Sequence, residues 1–317
     1  MASDEPFIGS EAVNSGTLRP HQLRSSRFRR IFPDVYASCD QRLTLRDRAI
    51  AAWLWSHRQG VLAASTAAAW HGSKWIDERL PVELIWSNTR PPHGVRTHDM
   101  TLLPEEVQIV ADVPVTTPRR TAFDLARRPQ AMGVAVAYLD ALMRATGTKV
   151  HEVLEVADRH RGARGLRQLE RALQLVDPGS QSPKETWLRL LLVRAGLPRP
   201  TTQIPVTAAD GAQLPLYYLD MGWEDLMVAV EYDGEHHRLD RWQYTKDIRR
   251  REALDRTRLD RYPGDRRRRS GRHRRQGPRC TRVARIEPAL AASSPRTDRD
   301  SSADPHAERS LGEENED

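Results

Sequence analysis

Residues 214–237, LPLYYLDMGWEDLMVAVEYDGEHH, limit what this chain can fold into more than any other stretch. Leu226, Val228, Val230 and Tyr232 alternate with Met227, Ala229, Glu231 and Asp233. That period of two belongs to a strand with one apolar face and one face turning acidic at its end. Residues 214–223 read as a second strand, with Glu224-Asp225 as the two-residue turn between them. Such a turn sets Asp220 opposite Ala229 and makes it a diagonal neighbour of Glu231, about 7–8 Å away at the backbone. Two carboxylates at that spacing suit one hard cation, since Mg²⁺ takes oxygens at about 2.0–2.1 Å. An ion held so activates water and offsets charge at a phosphate. A single acid at a strand end is ordinarily solvated. Three on one face, beside His236 and His237, weigh against that plain reading. The two histidines do not chelate as a pair, because adjacent strand residues point apart.

These residues carry a resemblance. Asp220, then Glu231 within VAVEYDGEHH, then Asp247, Arg250 and Leu254 are similar to bacterial proteins related to the very-short-patch-repair endonucleases, of the PD-(D/E)xK superfamily. The resemblance spans about residues 182–254. It implies a restriction-endonuclease-like α/β core that cleaves DNA, with Asp220 and Glu231 as Mg²⁺ ligands and Asp233 near the scissile phosphate. His237 matches a family histidine, and the family's acid on the first helix falls on Glu185. The sequence departs at Asp233, where the superfamily usually has Lys; Lys246 on the next helix is the substitute cation. Glu185 also has a structural account: Ser182 as N-cap, Pro183 in the first turn and Glu185 at the third helical position form a capping box.

At 317 residues the chain has room for two modest domains. No run approaches the roughly 18 apolar residues of a membrane helix, and the N-terminus lacks a basic-then-apolar leader pattern. A cytoplasmic protein with no membrane contact is expected. Cys39 and Cys280 are lone thiols without metal spacing.

Residues 1–60 read as a winged-helix-like region: short helical patterns, then a basic segment with Arg27, Arg29 and Arg30 running into Ile31, Phe32, Val35 and Tyr36. Those arginines would meet DNA phosphates; a basic surface loop is the plain alternative. Residues 61–178 read as mixed α/β. A helix from residue 43 to 58 is followed by one capped at Ser65 or Thr66 and ended by Gly72, then strands near 81–87, 94–100 and 106–115. Four helices follow, the first opened by Thr117-Pro118. His71 is expected to satisfy carbonyls at a helix end. The order RRIFPDVYA, STAAAWHG, PVTTPRRTAFDLAR resembles actinobacterial AbiEi-type antitoxins over roughly residues 11–145. That implies an N-terminal winged helix, DNA contact and a toxin partner. Residues 177–182, DPGSQS, read as the linker to the nuclease-like domain at 182–255.

The net charge of +7 is not spread evenly. Residues 256–285 hold thirteen Arg and two Asp, and residues 286–317 three Arg and nine acids, so the body is nearly neutral. The family's buried last strand is missing after Leu254, and 256–317 read as a disordered Arg-rich tail. Shifting the frame forward by one base over the codons of residues 257–266 permits Leu, Gly, Trp, Ile, Val, Ile, Arg, Val, Ile, if the Arg codons begin with C. The tail therefore reads as a frameshift product rather than a nucleic-acid-binding arm.

The expected fold class is α/β (α+β): a winged-helix-like and mixed α/β N-terminal part, a restriction-endonuclease-like core and the tail. The expected function is a Mg²⁺-dependent DNA endonuclease that an aberrant C-terminus would inactivate. The alternative is a non-catalytic DNA-binding regulator or antitoxin.

Overall fold

A computed structural model describes residues 5–88, 90–206, 215, 217–232 and 282–286. It is a mixed α/β fold with three sheets.

The first sheet has the order β1-β3-β2, with β1 Phe7–Ile8, β2 Phe28–Phe32 and β3 Val35–Ser38. The basic segment forms the expected hairpin, and Asp34 at its tip has a left-handed φ of 60°. The Asp34 carboxylate accepts from the Ser10 backbone N–H at 3.0 Å, pinning the tip to α1 (Gly9–Asn14). Between α1 and β2 the chain makes a single 3-10 turn, Gln22–Arg24.

Helix α2 (Leu45–Trp55) opens on a capping box between Thr44 and Asp47. It buries Ala49, Ile50, Ala52 and Leu54 in one core with Phe32, Val35, Leu62 and Leu84. The second sheet has the order β6-β5-β4-β8-β7: β4 Val61–Leu62, β5 Val82–Ile85, β6 Val95–His98, β7 Val107–Val110 and β8 Val113–Thr116. The strand read at 106–115 is thus a hairpin. Its two turn residues, Ala111 and Asp112, have φ of 49° and 64°, the doubly left-handed turn whose twist suits paired strands. β7 is a sheet edge, and its Ile109 is 66% exposed.

Helix α3 (Ala64–Trp70) begins before the expected caps, with Ala63 at its N-cap. Ser65 and Thr66 instead serve β5: Ser65 Oγ donates to Glu83 Oε1 at 2.8 Å, and Thr66 Oγ1 accepts from the Glu83 N–H at 2.9 Å. His71 ends the helix with Nε2 2.7 Å from the Thr116 carbonyl, and burial lowers its pKa.

Helices α4 (Pro118–Arg127), α5 (Met132–Thr146), α6 (Val150–Arg159) and α7 (Leu166–Leu175) close around Phe123, Leu139, Leu142, Val153 and Leu169. A buried ionic thread runs through them. Arg120 is 1% exposed; its Nε donates to Asp124 at 2.9 Å, and its Nη1 to the Thr101 carbonyl at 3.0 Å and to Glu106. His160 meets the other oxygen of Glu106 at 2.7 Å.

Helix α8 (Pro183–Arg194) is buried on two sides. Leu190 enters the helical core, while Leu188 packs with Met221 and Val230 of the third sheet. Leu191, on the remaining face, is 40% exposed. The linker is also held firmly. Asp177 N donates to Asp140 Oδ1 at 2.7 Å, Ser180 is buried, and Arg189 donates to Ser180 Oγ at 3.1 Å and to Asp140 Oδ2 at 2.7 Å.

The third sheet has the order β12-β11-β10-β9: β9 Thr201–Val206, β10 Tyr217–Trp223, β11 Val228–Tyr232 and β12 Arg282–Ile286. β9, β10 and β11 are antiparallel neighbours, and β12 runs parallel to β11 from Val228↔Arg282 to Tyr232↔Ile286. A sheet with no strand beyond residue 255 is thus corrected by β12. The remainder of 256–317, and the helix expected at 240–255, lie outside the described residues. No described helix is long and apolar enough to cross a membrane.

Candidate active site

Three acids named from the sequence stand on three elements of the third unit: Glu185 on α8, Asp220 on β10 and Glu231 on β11. The hairpin joining the last two differs from expectation. Its turn covers four residues, Glu224, Asp225, Leu226 and Met227, with Met227 left-handed at φ 55°. The pairs are Trp223↔Val228, Gly222↔Ala229 and Met221↔Val230. Continued by one residue, this register sets Asp220 across from Glu231 rather than Ala229, a closer arrangement than the diagonal one. Gly222 is needed for the approach: a Cβ there would lie 2.3 Å from the Val228 carbonyl oxygen.

The paired register ends at Met221↔Val230, and next to it the Asp220 side chain reaches across to the partner strand. Its Oδ2 accepts from the Tyr232 N–H at 2.8 Å. Glu231 is 6% exposed, on a strand flanked by β10 and β12. At the start of α8, Ser182 Oγ accepts from the Glu185 N–H at 3.2 Å, as the capping box requires. The Glu185 carboxylate reaches one residue further back than expected, accepting from the Gln181 N–H at 2.8 Å and from Ser182 Oγ at 3.0 Å. Burial raises the Glu185 pKa and the Asp220 charge raises it further, against the pull of the Gln181 and Ser182 donors. The two carboxylates are therefore close enough to repel.

Oxygen donors of this kind suit a hard cation. Mg²⁺ is commonly held by one or two carboxylates, with water and substrate phosphate completing its shell. Asp220 and Glu231 meet that requirement in kind; among the described residues no cluster of three or more acids, histidines or cysteines could hold an ion. Asp233, His237 and Lys246 lie outside the described residues.

No family model matches the chain. It is 27% identical over 218 residues to two Mycobacterium tuberculosis proteins, MT2308 of strain CDC 1551 / Oshkosh and Rv2248 of strain ATCC 25618 / H37Rv, each described as an uncharacterized protein. The match covers 67% of this chain and 76% of each relative. Among solved structures, the crystal structure of the Mycobacterium tuberculosis protein RV2827C is similar at 12% identity and a TM-score of 0.39, over 63% of this chain and 79% of that one.

The arginines proposed to meet DNA divide. Arg27 and Arg30 on the first hairpin are exposed. Arg29 is half-buried and its guanidinium is held by the Gln41 carbonyl. Sequence reasoning missed a second polar cluster altogether. Glu83 reads as the outward residue of an alternating strand, yet β5 is flanked by β4 and β6 and buried along its length. Its carboxylate meets Ser65, His98 at 2.9 Å, and Arg128.

Proposed function

We propose that this chain is a Mg²⁺-dependent DNA endonuclease of the very-short-patch-repair type, working in the cytoplasm. The observation that carries the reading is the β10–β11 register, which faces Asp220 toward Glu231 with Glu185 in electrostatic reach. The order of helix, three antiparallel strands and a strand parallel to the third supports it as well. Asp220 and Glu231 would hold the ion, which supplies an acidified water and a counter-charge at the phosphate. The Tyr232 N–H fixes one Asp220 oxygen, so that carboxylate is oriented before substrate arrives. Glu185, the acid that the resemblance places on the first helix, stands at the start of α8. The resemblance implies Asp233 near the scissile phosphate and a family histidine at His237. In this reading Asp233 would orient the attacking water, His237 would serve the leaving oxygen, and Lys246 would supply the cation that the family's lysine gives elsewhere.

The test is nicking of supercoiled plasmid by the purified full chain, with Mg²⁺ and with EDTA. Asp220→Ala and Glu231→Ala are each expected to cut the Mg²⁺-dependent rate at least about a hundredfold, with circular dichroism confirming that both fold. Cleavage that survives both changes rules out this site.

A second reading is favoured by the exposed Arg27 and Arg30 on the β2–β3 hairpin: a DNA-binding regulator or antitoxin with a toxin partner. It predicts salt-sensitive duplex binding. Arg27→Ala or Arg30→Ala, each removing one cation from the DNA phosphates, would flatten the slope of log K against log salt by about 0.9, while Asp220→Ala leaves binding intact.

A further inference from the structure

A cavity of about 460 Å³ opens between the β5–β6 edge and the α4–α5 turn, and none of the three acids lines it. Its size lies within the range of small-molecule sites, roughly 300–1,000 Å³. Leu80, Pro81, Met100, Leu125 and Pro129 form an apolar wall. The polar groups around that wall are mostly donors. Arg96 faces Glu83 across the β5–β6 register, is exposed, and has no hydrogen-bond or ion-pair partner among the described residues. The Tyr138 hydroxyl on α5 likewise has none. Arg128 gives Nη1 to Glu83, while its Nη2, shut off from water, meets no acceptor.

The one carboxylate in the wall does not compete for these donors. Glu83 has Oε1 on Ser65 Oγ and Oε2 between His98 and Arg128. Glu83 is thus engaged by Ser65, His98 and Arg128, whereas the Arg96 guanidinium at the mouth of the cavity has no such partner among the described residues. Guanidinium donors match the flat, two-oxygen face of a carboxylate, and the apolar wall rewards an aliphatic or aromatic body.

We propose that this cavity binds a small organic carboxylate, its acid group taken by Arg96 and the Tyr138 hydroxyl and its apolar body lying against Leu80, Pro81 and Leu125. The site owes nothing to the endonuclease reading and stands or falls separately from it.

Isothermal titration calorimetry on the full chain tests the proposal, with benzoate as probe, benzamide as its neutral isostere and inorganic phosphate as a bare anion. Benzoate is expected to bind saturably at one site. Benzamide should bind at least about tenfold more weakly, and Arg96→Ala and Tyr138→Phe should each weaken benzoate, the former at least about tenfold. Arg96 is exposed on an edge strand, so its replacement leaves the fold intact; Asp220→Ala should bind benzoate like the parent. The proposal is overturned by no saturable heat at about 10 mM benzoate, by equal affinity for benzamide, or by undiminished affinity in Arg96→Ala. Phosphate displacing benzoate at similar concentration also overturns it, since that marks a general anion site.

Discussion

Glu83 stands on a strand buried along its length, and its carboxylate accepts from Ser65 Oγ at 2.8 Å and meets His98 at 2.9 Å while Arg128 closes from the other side. Burial alone would raise its pKa; His98, Arg128 and Ser65 together outweigh burial and bring it to about 2. The folded value lies below the ordinary value of 4.5. Its stabilising contribution is therefore complete above about pH 4.5 and is lost as the pH falls toward 2. Glu83→Gln is expected to flatten the acid limb of the stability curve by on the order of 2–3 kcal/mol and to lower the melting temperature at neutral pH, because Arg128 is left without its partner. Thermal melts from pH 2 to pH 7 read both effects; an acid limb identical to the parent's contradicts the assignment. Nothing in PVELIWS marks Glu83 as buried, since one sequence cannot tell an outward-facing strand position from a strand covered on both faces. Asp220 and Glu231 were legible because the acid pattern falls on a clean two-residue period. Their pairing was misjudged by two residues, since Leu226 and Met227 belong to the turn rather than to the strand.

Two helix starts were legible from a hydroxyl followed by proline, Thr117-Pro118 before α4 and Ser182-Pro183 before α8, whereas the hydroxyls of Ser65 and Thr66 misplaced the start of α3, whose N-cap is Ala63. Short or irregular strands were not legible. β4 is two residues long. β9 contains Pro205, tolerated there because β9 is an edge of its sheet. The β7–β8 turn uses Ala111 and Asp112 in place of the glycine that signals a tight hairpin. β12 belongs with these: its five residues sit in a stretch whose arginine content masks any period, and its pairing comes from a partner more than fifty positions upstream. Ala284 pairs with Val230 at the middle of that ladder. Ala284→Pro removes one backbone donor and the freedom to extend there, so the melting temperature should fall by several degrees. An unchanged melt would mean that β12 contributes nothing to the sheet in solution.

Across the whole molecule, the apolar interior is unevenly shared. The α4–α7 bundle encloses a broad core that takes in Leu190 of α8, and α2 unites the first two sheets in another. The third sheet has two small clusters, Leu188 with Met221 and Val230 on one side and Ile204 with Leu219 and Ala229 on the other. Its attachment runs through α8, where the buried Asp140–Arg189 pair ties that helix to α5. Local opening follows core thickness. Amides of β9, β10 and β11 are accordingly expected to exchange with deuterium at least about tenfold faster than those of α4 and α5, a difference mass spectrometry of peptic fragments resolves. Equal protection would mean that the two regions unfold as one. That the DPGSQS stretch is fastened to Asp140 was not readable from the sequence, because the fastening residues lie 37 positions apart. The rim of the second sheet has a practical consequence. Along β7 the run VQIV carries no lysine or proline to repel a neighbour, and Ile109 projects from it into water. Concentrated preparations would zip together along that rim, chain upon chain, and aggregation would begin there before any helix had loosened.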